Sequence, residues 1–445
     1  MYNTVTDIIQ SLKNKFPFFG INKTRELSRL VFEISKREKA DFEDIIKRIE
    51  EFDYEKVKNS LLKRRYPKTY GVIPKDSFYL PDININADEK ADLKNKNFYP
   101  KNIYYTKDVI NSNLYCRIKT LYPDAIFCEI ESLKVFLREN KFSVSGYNKR
   151  KENLFLINEK YDFFKPCPCT KNVFCCNYSI LNTGYGCLYE CSYCFLQGYQ
   201  NVSGIVLPCN ISEFLDIDKI KPVNNNLFDL PRTGSGEFTD SLLFDDITLF
   251  SNEIVGFFKK NKNICFEFKT KSVNIDNLLK LGGSSNIVVS WSVNSEKMIE
   301  ENEHCTPKLK DRLLAAKKCV QAGYSVGFHF DPVIFYSGWE QGYKKTIDDI
   351  FDFIDGKYIK WISIGSLRMP AALKKVIENR FVENTILDEE LLLSHDGKLR
   401  YETSLRISLY RCLLEQIRMR SEKVPVYLCM EDINVWNLSK FKFKK

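Results

Sequence analysis

From about residue 177 onward the chain alternates between strand-like and helix-like segments, and this alternation constrains the fold more than any other feature. One helix-like segment is well bounded, with Thr306 as N-cap, Pro307 at its first position and Gly323 as its stop. Such alternation predicts parallel strands joined by crossover helices, in a barrel or in an open doubly wound sheet. The strand-like runs are residues 178–181, 227–230, 264–268, 287–293, 324–330, 359–364 and 424–429.

A loop with three cysteines follows the first strand-like run. Cys187, Cys191 and Cys194 have the spacing CxxxCxxC. Three thiolates on one short loop can hold three irons of a 4Fe–4S cluster, and the fourth iron then stays open to another ligand. Chance spacing of buried cysteines and a zinc site are the alternatives, but the loop has no fourth Cys or His to complete a tetrahedral zinc site. Sites in barrels of this kind gather at the carboxyl ends of the strands, so the loop lies where a cluster is expected.

Polar residues and glycines follow the next strand-like runs in the same way. Glycines let the backbone approach a ligand closely, and a lysine or serine at a strand end can bind a carboxylate. Taken one by one, these residues are as well explained by a glycine turn, a surface lysine and a satisfied serine, but their placement at successive strand ends favours a ligand site. The candidates are Gly234, Gly236, Glu237, Lys271 and Ser292.

These motifs together resemble the spore photoproduct lyase family of radical S-adenosylmethionine (SAM) enzymes. The resemblance covers roughly residues 163–436 and implies an α/β fold, a partial (β/α)6-type radical SAM barrel with an N-terminal helical extension. It implies that the three loop cysteines bind a 4Fe–4S cluster and that the strand-end candidates contact SAM, together with Thr239, which matches a cofactor-contacting position of the family. The motifs that carry it are the cysteine loop with LQ (196–197), GEFTD (236–240), TKS (270–272), WSVN (291–294), FHFDPVI (328–334), GWE (338–340), WISIGSLR (361–368) and YLCME (427–431).

The resemblance also implies a reaction. The family cleaves SAM reductively to a 5′-deoxyadenosyl radical, which takes a hydrogen atom from a thymine-derived DNA lesion; the linking bond breaks and a cysteine returns hydrogen. By position, Tyr193 and Glu237 are the predicted catalytic residues. Two replacements depart from the family, because Glu237 stands where the donor cysteine is expected and Phe195 where a tyrosine is expected. Cys209 and Cys265 are candidate replacement donors that the sequence does not place.

Two alternatives to lesion repair remain open. One is a radical SAM enzyme with a different substrate, such as RNA, a peptide or a small metabolite, which the replacements at Glu237 and Phe195 favour. The other is a non-catalytic iron–sulfur protein that binds nucleic acid, against which the intact set of SAM-binding positions argues.

The net charge of +9 is compatible with a nucleic-acid partner, but a lysine-rich composition gives such a charge without any functional cause. The expected partners are DNA carrying a pyrimidine lesion and an electron donor such as flavodoxin or ferredoxin. We expect no membrane contact, since no run reaches the roughly 18 apolar residues of a membrane span. The candidate nucleic-acid contacts are Arg368, Arg400, Tyr401, Arg406 and Tyr410.

The 15 cysteines form an odd set in a sequence without a visible secretory signal, which predicts reduced thiols and a cytoplasmic location. His329, between two phenylalanines, is interpreted as a hydrogen-bonded core residue rather than a catalyst. Four further cysteines precede the cluster loop and are interpreted as structural, with a second soft-metal site as the alternative. These are Cys167, Cys169, Cys175 and Cys176.

The predicted domain organisation has four parts. Residues 1–75 form a basic helical extension, which either grips a phosphate backbone or is a solvated capping bundle. Residues 76–165 form a linker and an N-terminal α/β subdomain. Residues 166–436 form the barrel with a C-terminal substrate-binding part, and residues 437–445 form a basic tail.

Overall fold

The computed structural model describes residues 2–94, 97–160, 164–169, 173–216 and 227–441. The end of the predicted basic tail, residues 442–445, lies outside the described residues. The chain divides into two compact units. The barrel unit comprises Asp92–Cys191, Tyr199–Ser366 and Ile407–Lys445, and the helical unit comprises Met1–Ala91, Ser192–Gly198 and Leu367–Arg406.

The helices and strands follow one another along the chain. The helices are α1 (Tyr2–Lys15), α2 (Ile21–Glu38), α3 (Phe42–Lys47), α4 (Tyr54–Arg65), α5 (Asn113–Leu121), α6 (Leu133–Glu139), α7 (Val144–Asn148), α8 (Leu196–Tyr199), α9 (Asp245–Thr248), α10 (Phe250–Lys260), α11 (Asp276–Leu281), α12 (Glu296–Asn302), α13 (Leu309–Gln321), α14 (Trp339–Phe353), α15 (Leu373–Arg380), α16 (Thr403–Arg420) and α17 (Ile433–Leu438). The strands are β1 (Asn102–Thr106), β2 (Ile126–Ile130), β3 (Asn153–Ile157), β4 (Phe164–Pro166), β5 (Tyr178–Leu181), β6 (Glu190–Cys191), β7 (Ile205–Pro208), β8 (Arg232–Ser235), β9 (Cys265–Thr270), β10 (Ile287–Ser292), β11 (Glu303–His304), β12 (Ser325–Val333), β13 (Ile359–Ser366), β14 (Arg368–Pro370), β15 (Leu392–Leu393), β16 (Lys398–Arg400) and β17 (Val426–Leu428).

The main sheet of the barrel unit confirms the predicted parallel arrangement. Among the described residues its strand order is β17-β13-β12-β10-β9-β8-β5-β4. All neighbouring strands are parallel except β4, which pairs antiparallel with β5 at the edge. Helices α10, α11, α13 and α14 lie between successive strands of the series, as crossover connections require.

The predicted strand at residues 227–230 is wrong, because the second strand of the series is β8, Arg232–Ser235. The apolar run serves packing instead: the Phe228 ring lies edge-on to Trp361 and Tyr427, with centroids 5.5 and 5.4 Å away. The sequence of β8 is Arg-Thr-Gly-Ser, which contains no large apolar residue, although all four residues are buried. A search for apolar runs therefore does not find this strand. The guanidinium of Arg232 enters the interior because Glu267 neutralises it at 3.3 Å.

The predicted N-cap of α13 is also wrong. Lys308 is the N-cap residue, and the Thr306 hydroxyl instead donates to the Glu303 carbonyl oxygen at 2.7 Å. It also accepts a hydrogen bond from Arg312 Nη2 at 2.8 Å. The helix does stop before Gly323, whose φ of +89° suits glycine.

The interior of the sheet contains a buried polar network around Glu267. Its Oε1 lies 2.7 Å from His329 Nε2 and accepts from Trp361 Nε1 at 2.9 Å. Burial and the charge of Lys269 lower the pKa of His329, so the ring is neutral near pH 7. The interpretation of His329 as a hydrogen-bonded core residue is therefore confirmed.

A second parallel sheet of the barrel unit has the order β2-β1-β3-β7 within the described part of the chain. Its core includes Phe155 and Val206, and Val206 also forms an isolated antiparallel bridge with Tyr185, two residues before the cysteine loop. This bridge fixes the backbone at the start of the loop.

The helical unit is built from α1–α4, α15 and a small sheet of order β14-β16-β15. Ile8, Leu27, Val31 and Val57 belong to a single buried core of the four N-terminal helices. Two of these helices have aspartate N-caps: the Asp41 side chain accepts from the backbone of α3 and the Asp53 side chain from that of α4. The four helices confirm the helical character predicted for the N-terminal segment. Over the described ranges, no helix is long and apolar enough to cross a membrane.

Candidate functional site

Asp240 ties together the ends of two neighbouring barrel strands. Its Oδ1 accepts hydrogen bonds from the Leu242 and Leu243 amides, both at 3.1 Å, and from Thr270 Oγ1 at 2.6 Å. Its Oδ2 accepts from the Lys271 amide at 2.6 Å. The loop after β8 and the end of β9 are therefore fixed to each other, which holds Thr239, the residue before Asp240, beside the backbone of Lys271.

Glycine is required at positions 234 and 236 for different physical reasons. Gly236 has a φ of +98°, and a Cβ there would lie 2.6 Å from the Lys269 carbonyl oxygen. Gly234 lies inside β8, where a Cβ would lie 2.0 Å from Tyr178 Oη and 2.4 Å from the Glu267 carbonyl oxygen. Strand packing thus accounts for Gly234, and Gly236 shapes the candidate cofactor loop.

Two polar atoms beside these glycines suit a polar ligand. Thr239 Oγ1 and Glu237 Oε2 are buried and have no hydrogen-bond partner among the described residues. Glu237 Oε2 lies 3.6 Å from Lys165 Nζ, and burial raises the pKa of the Glu237 carboxyl. Buried polar atoms normally have partners, so the edge formed by the ends of β8, β9 and β10 fits the amino, carboxylate and hydroxyl groups of SAM.

The first part of the cysteine loop is held by a buried arginine that sequence reasoning missed. Arg150 Nε donates to the Cys187 carbonyl oxygen at 2.7 Å, and Nη2 donates to the Tyr189 carbonyl oxygen at 3.0 Å. Arg150 Nη2 also pairs with Glu190 Oε1 at 2.9 Å, and Lys151 Nζ lies 3.7 Å from the same oxygen. Arg150 lies 37 residues before Cys187 and belongs to no motif, so no local sequence signal could have found it.

Cys191 is held by a second buried ion pair that was also missed. It lies in β6, where it pairs with Glu303 of β11. Glu303 Oε2 binds Arg312 Nη2 at 2.6 Å, and Arg312 Nη1 donates to the Ser292 carbonyl oxygen at 2.9 Å. A cluster-ligand candidate and a SAM-contact candidate are therefore connected through one ion pair, while the Gly186 amide connects the same loop to the Phe238 carbonyl oxygen at 2.8 Å.

Cys194 belongs to the segment Ser192–Gly198 of the helical unit. Gln197 Nε2 donates to the Ser192 and Cys194 carbonyl oxygens at 3.0 and 3.1 Å. Tyr193 is half-buried, and Phe195 is 41% exposed.

The cysteine loop has the chemistry of an iron–sulfur site. Its donors are thiols, which iron–sulfur clusters use, and the Tyr189 amide donates to Cys187 Sγ at 3.4 Å. The thiols of Cys187, Cys191 and Cys194 are the side chains of this loop that would hold such a cluster.

The candidate nucleic-acid contacts separate into two groups. Tyr410 is fully buried; its hydroxyl donates to Glu431 Oε1 at 2.6 Å and accepts from the Ser366 amide at 2.9 Å. Tyr401 is also buried, so the prediction that these two rings contact nucleic acid is wrong. The arginines Arg368, Arg400 and Arg406 stay candidates, although Arg400 and Arg406 are also largely buried. Arg400 pairs with Asp396, and Arg406 donates to Thr403 Oγ1.

Neither candidate replacement hydrogen donor lies at the carboxyl ends of β8, β9 and β10. Cys265 begins β9, at the amino end of the strand, and burial raises the pKa of its thiol to about 12. Cys209 follows β7 of the second sheet. Of the four cysteines before the loop, Cys169 and Cys175 have their sulfurs 3.8 Å apart.

The comparison with known proteins identifies the family. The family model described as spore photoproduct lyase matches residues 169–401, more than half of the chain. The spore photoproduct lyase of Clostridium acetobutylicum is 25% identical over 199 residues, 43% of this chain and 57% of the relative. The lyase of Bacillus subtilis is 26% identical over 209 residues, 46% of this chain and 61% of the relative. The chain thus matches about three fifths of the length of these curated relatives.

Solved structures give the same answer for the fold. A spore photoproduct lyase mutant with dinucleoside spore photoproduct superimposes with a TM-score of 0.62 at 20% identity, covering 75% of this chain and 99% of that one. Another, with bound AdoMet and dinucleoside spore photoproduct, gives 0.61 at 19% identity over the same shares. The main sheet is accordingly the predicted partial radical SAM barrel. With its cysteine loop and its strand-end motifs inside the matched region, the chain belongs to the spore photoproduct lyase family.

Proposed function

We propose that this protein is a radical SAM lyase that acts on a thymine-derived DNA lesion. The observation that carries the proposal lies at the carboxyl edge of the barrel sheet: the Thr239 hydroxyl is buried without a hydrogen-bond partner among the described residues, and the next residue, Asp240, accepts from the Lys271 amide. The cysteine loop is connected to this edge through Arg312 and Ser292. Family membership supports the reaction class, and reductive cleavage of SAM to a 5′-deoxyadenosyl radical is its first step.

Each group of residues has a defined part in this proposal. Cys187, Cys191 and Cys194 hold the 4Fe–4S cluster, while Thr239 and Lys271, together with Ser292, hold the polar groups of SAM. When bound, the cluster and SAM supply the electron and the radical. The residues of the chain bind and orient these groups in a barrel interior that the buried Glu267 network keeps rigid.

The proposed substrate is supported by two solved spore photoproduct lyase structures that contain dinucleoside spore photoproduct. The net charge of +9 agrees with a nucleic-acid partner. An electron donor such as flavodoxin or ferredoxin completes the proposed set of partners.

A second candidate, a radical SAM enzyme with another substrate, is favoured by one observation. Glu237 replaces the expected donor cysteine, and its carboxyl lies 3.6 Å from Lys165 Nζ. A carboxyl group exchanges protons but holds its hydrogen too strongly to return a hydrogen atom. This chain therefore returns hydrogen by another route or acts on a substrate that needs no return.

Anaerobic reconstitution tests the proposal. We expect the reconstituted protein to bind close to four irons per chain and to form 5′-deoxyadenosine from SAM and dithionite, and lesion DNA to stimulate this formation. SAM cleavage at the same rate with and without lesion DNA would favour the second candidate, a radical SAM enzyme with another substrate. A full cluster without SAM cleavage would favour a non-catalytic iron–sulfur protein.

A further inference from the structure

We propose that the N-terminal helices position Cys194, the third cluster ligand, through Arg380 and Gln197. The inference rests on the proposed function, because Cys194 matters as a ligand only if the cluster forms. Every contact that carries it lies within the helical unit. It gives a role to residues 1–91, which precede the family match at residues 169–401.

Gln197 holds the backbone on both sides of the Cys194 side chain. Its amide nitrogen Nε2 donates to the Ser192 carbonyl oxygen at 3.0 Å and to the Cys194 carbonyl oxygen at 3.1 Å. Gln197 is itself buried, with 4% of its surface exposed. A buried amide that closes a short loop in this way restricts the direction in which the Cys194 thiol can point.

Arg380 determines how the Gln197 amide is oriented. Arg380 Nη1 donates to Gln197 Oε1, which directs Nε2 towards the loop carbonyls. Arg380 ends α15 and is buried, and its carbonyl oxygen accepts from the Ala91 amide at 3.0 Å. The other end of α15 touches the same segment, since a Cβ at Gly198 would lie 3.7 Å from Leu373 Cδ1.

The N-terminal helices hold α15 through two buried ion pairs. Arg29 Nη1 of α2 binds Glu378 Oε1 at 2.6 Å, and Lys374 Nζ binds Glu33 Oε1 at 2.6 Å. All four side chains are buried. Buried pairs have a narrow range of acceptable geometries, because a displaced partner leaves a charge without compensation. The position of α15, and with it that of Arg380, is therefore set by α2.

A chain of contacts thus connects α2 to Cys194. Arg29 and Glu33 of α2 hold α15, which carries Arg380. Arg380 orients the Gln197 amide, and Gln197 holds the backbone of Cys194. These are positioning residues rather than catalytic ones. Outer residues of this kind typically change metal affinity about 10–100-fold when they are replaced.

The test compares three variants with a matched control from the same helix. Gln197→Glu keeps the acceptor for Arg380 but loses the donor to the loop; Arg380→Met loses the orientation of Gln197; Glu378→Gln weakens the hold of α2 on α15. The control is Glu38→Gln, which removes the partly exposed pair between Glu38 and Arg64 at the end of α2.

Two readouts are measured on the full chain. In the apo protein, hydrogen exchange of residues 192–198 is followed by mass spectrometry. In the reconstituted protein, the rate of iron loss to a chelator is measured. We expect all three variants to exchange faster at 192–198 and to lose iron roughly tenfold faster than the wild type, and Glu38→Gln to match the wild type.

The outcomes separate this inference from the proposed function. Wild-type exchange and iron retention in Gln197→Glu and Glu378→Gln would overturn the inference while leaving the proposed function intact. If the wild type binds no cluster, the proposed function fails, and exchange in the apo protein still decides whether α2 positions the segment. If Glu378→Gln does not fold, Arg29→Lys tests the hold of α2 on α15 in its place, because it keeps the buried positive charge but loses the geometry of the guanidinium.

Discussion

Arg312 of α13 and Glu303 of β11 form a buried ion pair, Nη2 to Oε2 at 2.6 Å. Glu303 lies opposite Cys191 in the β6–β11 ladder, and Arg312 donates to the carbonyl oxygen of Ser292. The pair therefore holds a cluster-ligand position and a SAM-contact position in a fixed relationship, although neither residue belongs to a recognised motif.

Replacing Arg312 by Met should destabilise the protein and weaken SAM binding together. The replacement removes one partner of a buried ion pair, which typically costs ~3–5 kcal/mol. Urea unfolding and the SAM dissociation constant measure the two effects. Lys297→Met is the matched control, since it removes an exposed pair with Glu301 and should change neither quantity. Unchanged SAM affinity in a folded Arg312→Met protein would contradict the account.

Replacing Thr239 by Val should separate stability from cofactor binding. The Thr239 hydroxyl is buried and has no hydrogen-bond partner in the described part of the chain, so its loss should leave the free energy of unfolding unchanged or raise it. SAM affinity should fall about 2- to 10-fold, the value of one hydrogen bond. Calorimetric titration with SAM on the reconstituted protein measures this.

Thr233→Val is the control for that comparison. The Thr233 hydroxyl is also buried and unpartnered in the described chain, but it lies inside β8. We expect Thr233→Val, like Thr239→Val, to leave the free energy of unfolding unchanged or raised, but to leave the affinity for SAM unchanged. Equal losses of affinity in both variants would show that Thr239 has no special part in binding SAM.

Replacing Glu237 by Cys should raise the amount of thymine recovered per 5′-deoxyadenosine formed from lesion DNA. A thiol gives up a hydrogen atom readily, whereas the carboxyl does not. Glu237→Ser is the control, because it has the size of Cys but a strong O–H bond. If serine and cysteine give the same ratio, hydrogen return does not pass through position 237.

Lowering the pH from about 4.5 to about 2 should reduce the stability of the folded helical unit. Burial alone would raise the pKa of Glu33, but Lys374, Arg65 and Arg29 lower it from 4.5 to about 2. A carboxyl whose pKa is depressed by folding stabilises the folded state fully above its unfolded pKa, and that stability is lost as the pH falls through the folded value. Urea unfolding monitored from pH 6 to pH 3 measures the slope, and Glu33→Gln should flatten it. A slope that Glu33→Gln leaves unchanged would assign the acid sensitivity to other groups.

Sequence patterns predicted most of the barrel and less of what holds the site together. The strand at β10 was predicted from its apolar run, because it is buried on both faces. β8 was missed because its burial depends on Glu267, which neutralises Arg232 from the neighbouring strand. The residue pattern of one strand does not show whether a charged side chain on it will be neutralised by a residue of a neighbouring strand.

The candidate site shows the same division. The cysteine loop and the positions of Thr239, Lys271 and Ser292 follow from local motifs, and the structure places the last three at adjacent strand ends. Arg150 and Arg380 act on residues 37 and 183 positions away, so only the folded chain shows them. Tyr410 was predicted as a contact because a basic, aromatic segment looks alike whether its ring is exposed or buried.

The most direct test of the central claim is the recovery of thymine from DNA containing 5-thyminyl-5,6-dihydrothymine, measured anaerobically with reconstituted protein, SAM and dithionite. The account predicts that thymine appears with 5′-deoxyadenosine and that Cys191→Ala abolishes both. Formation of 5′-deoxyadenosine at the same rate with and without the lesion, and no thymine, would contradict it.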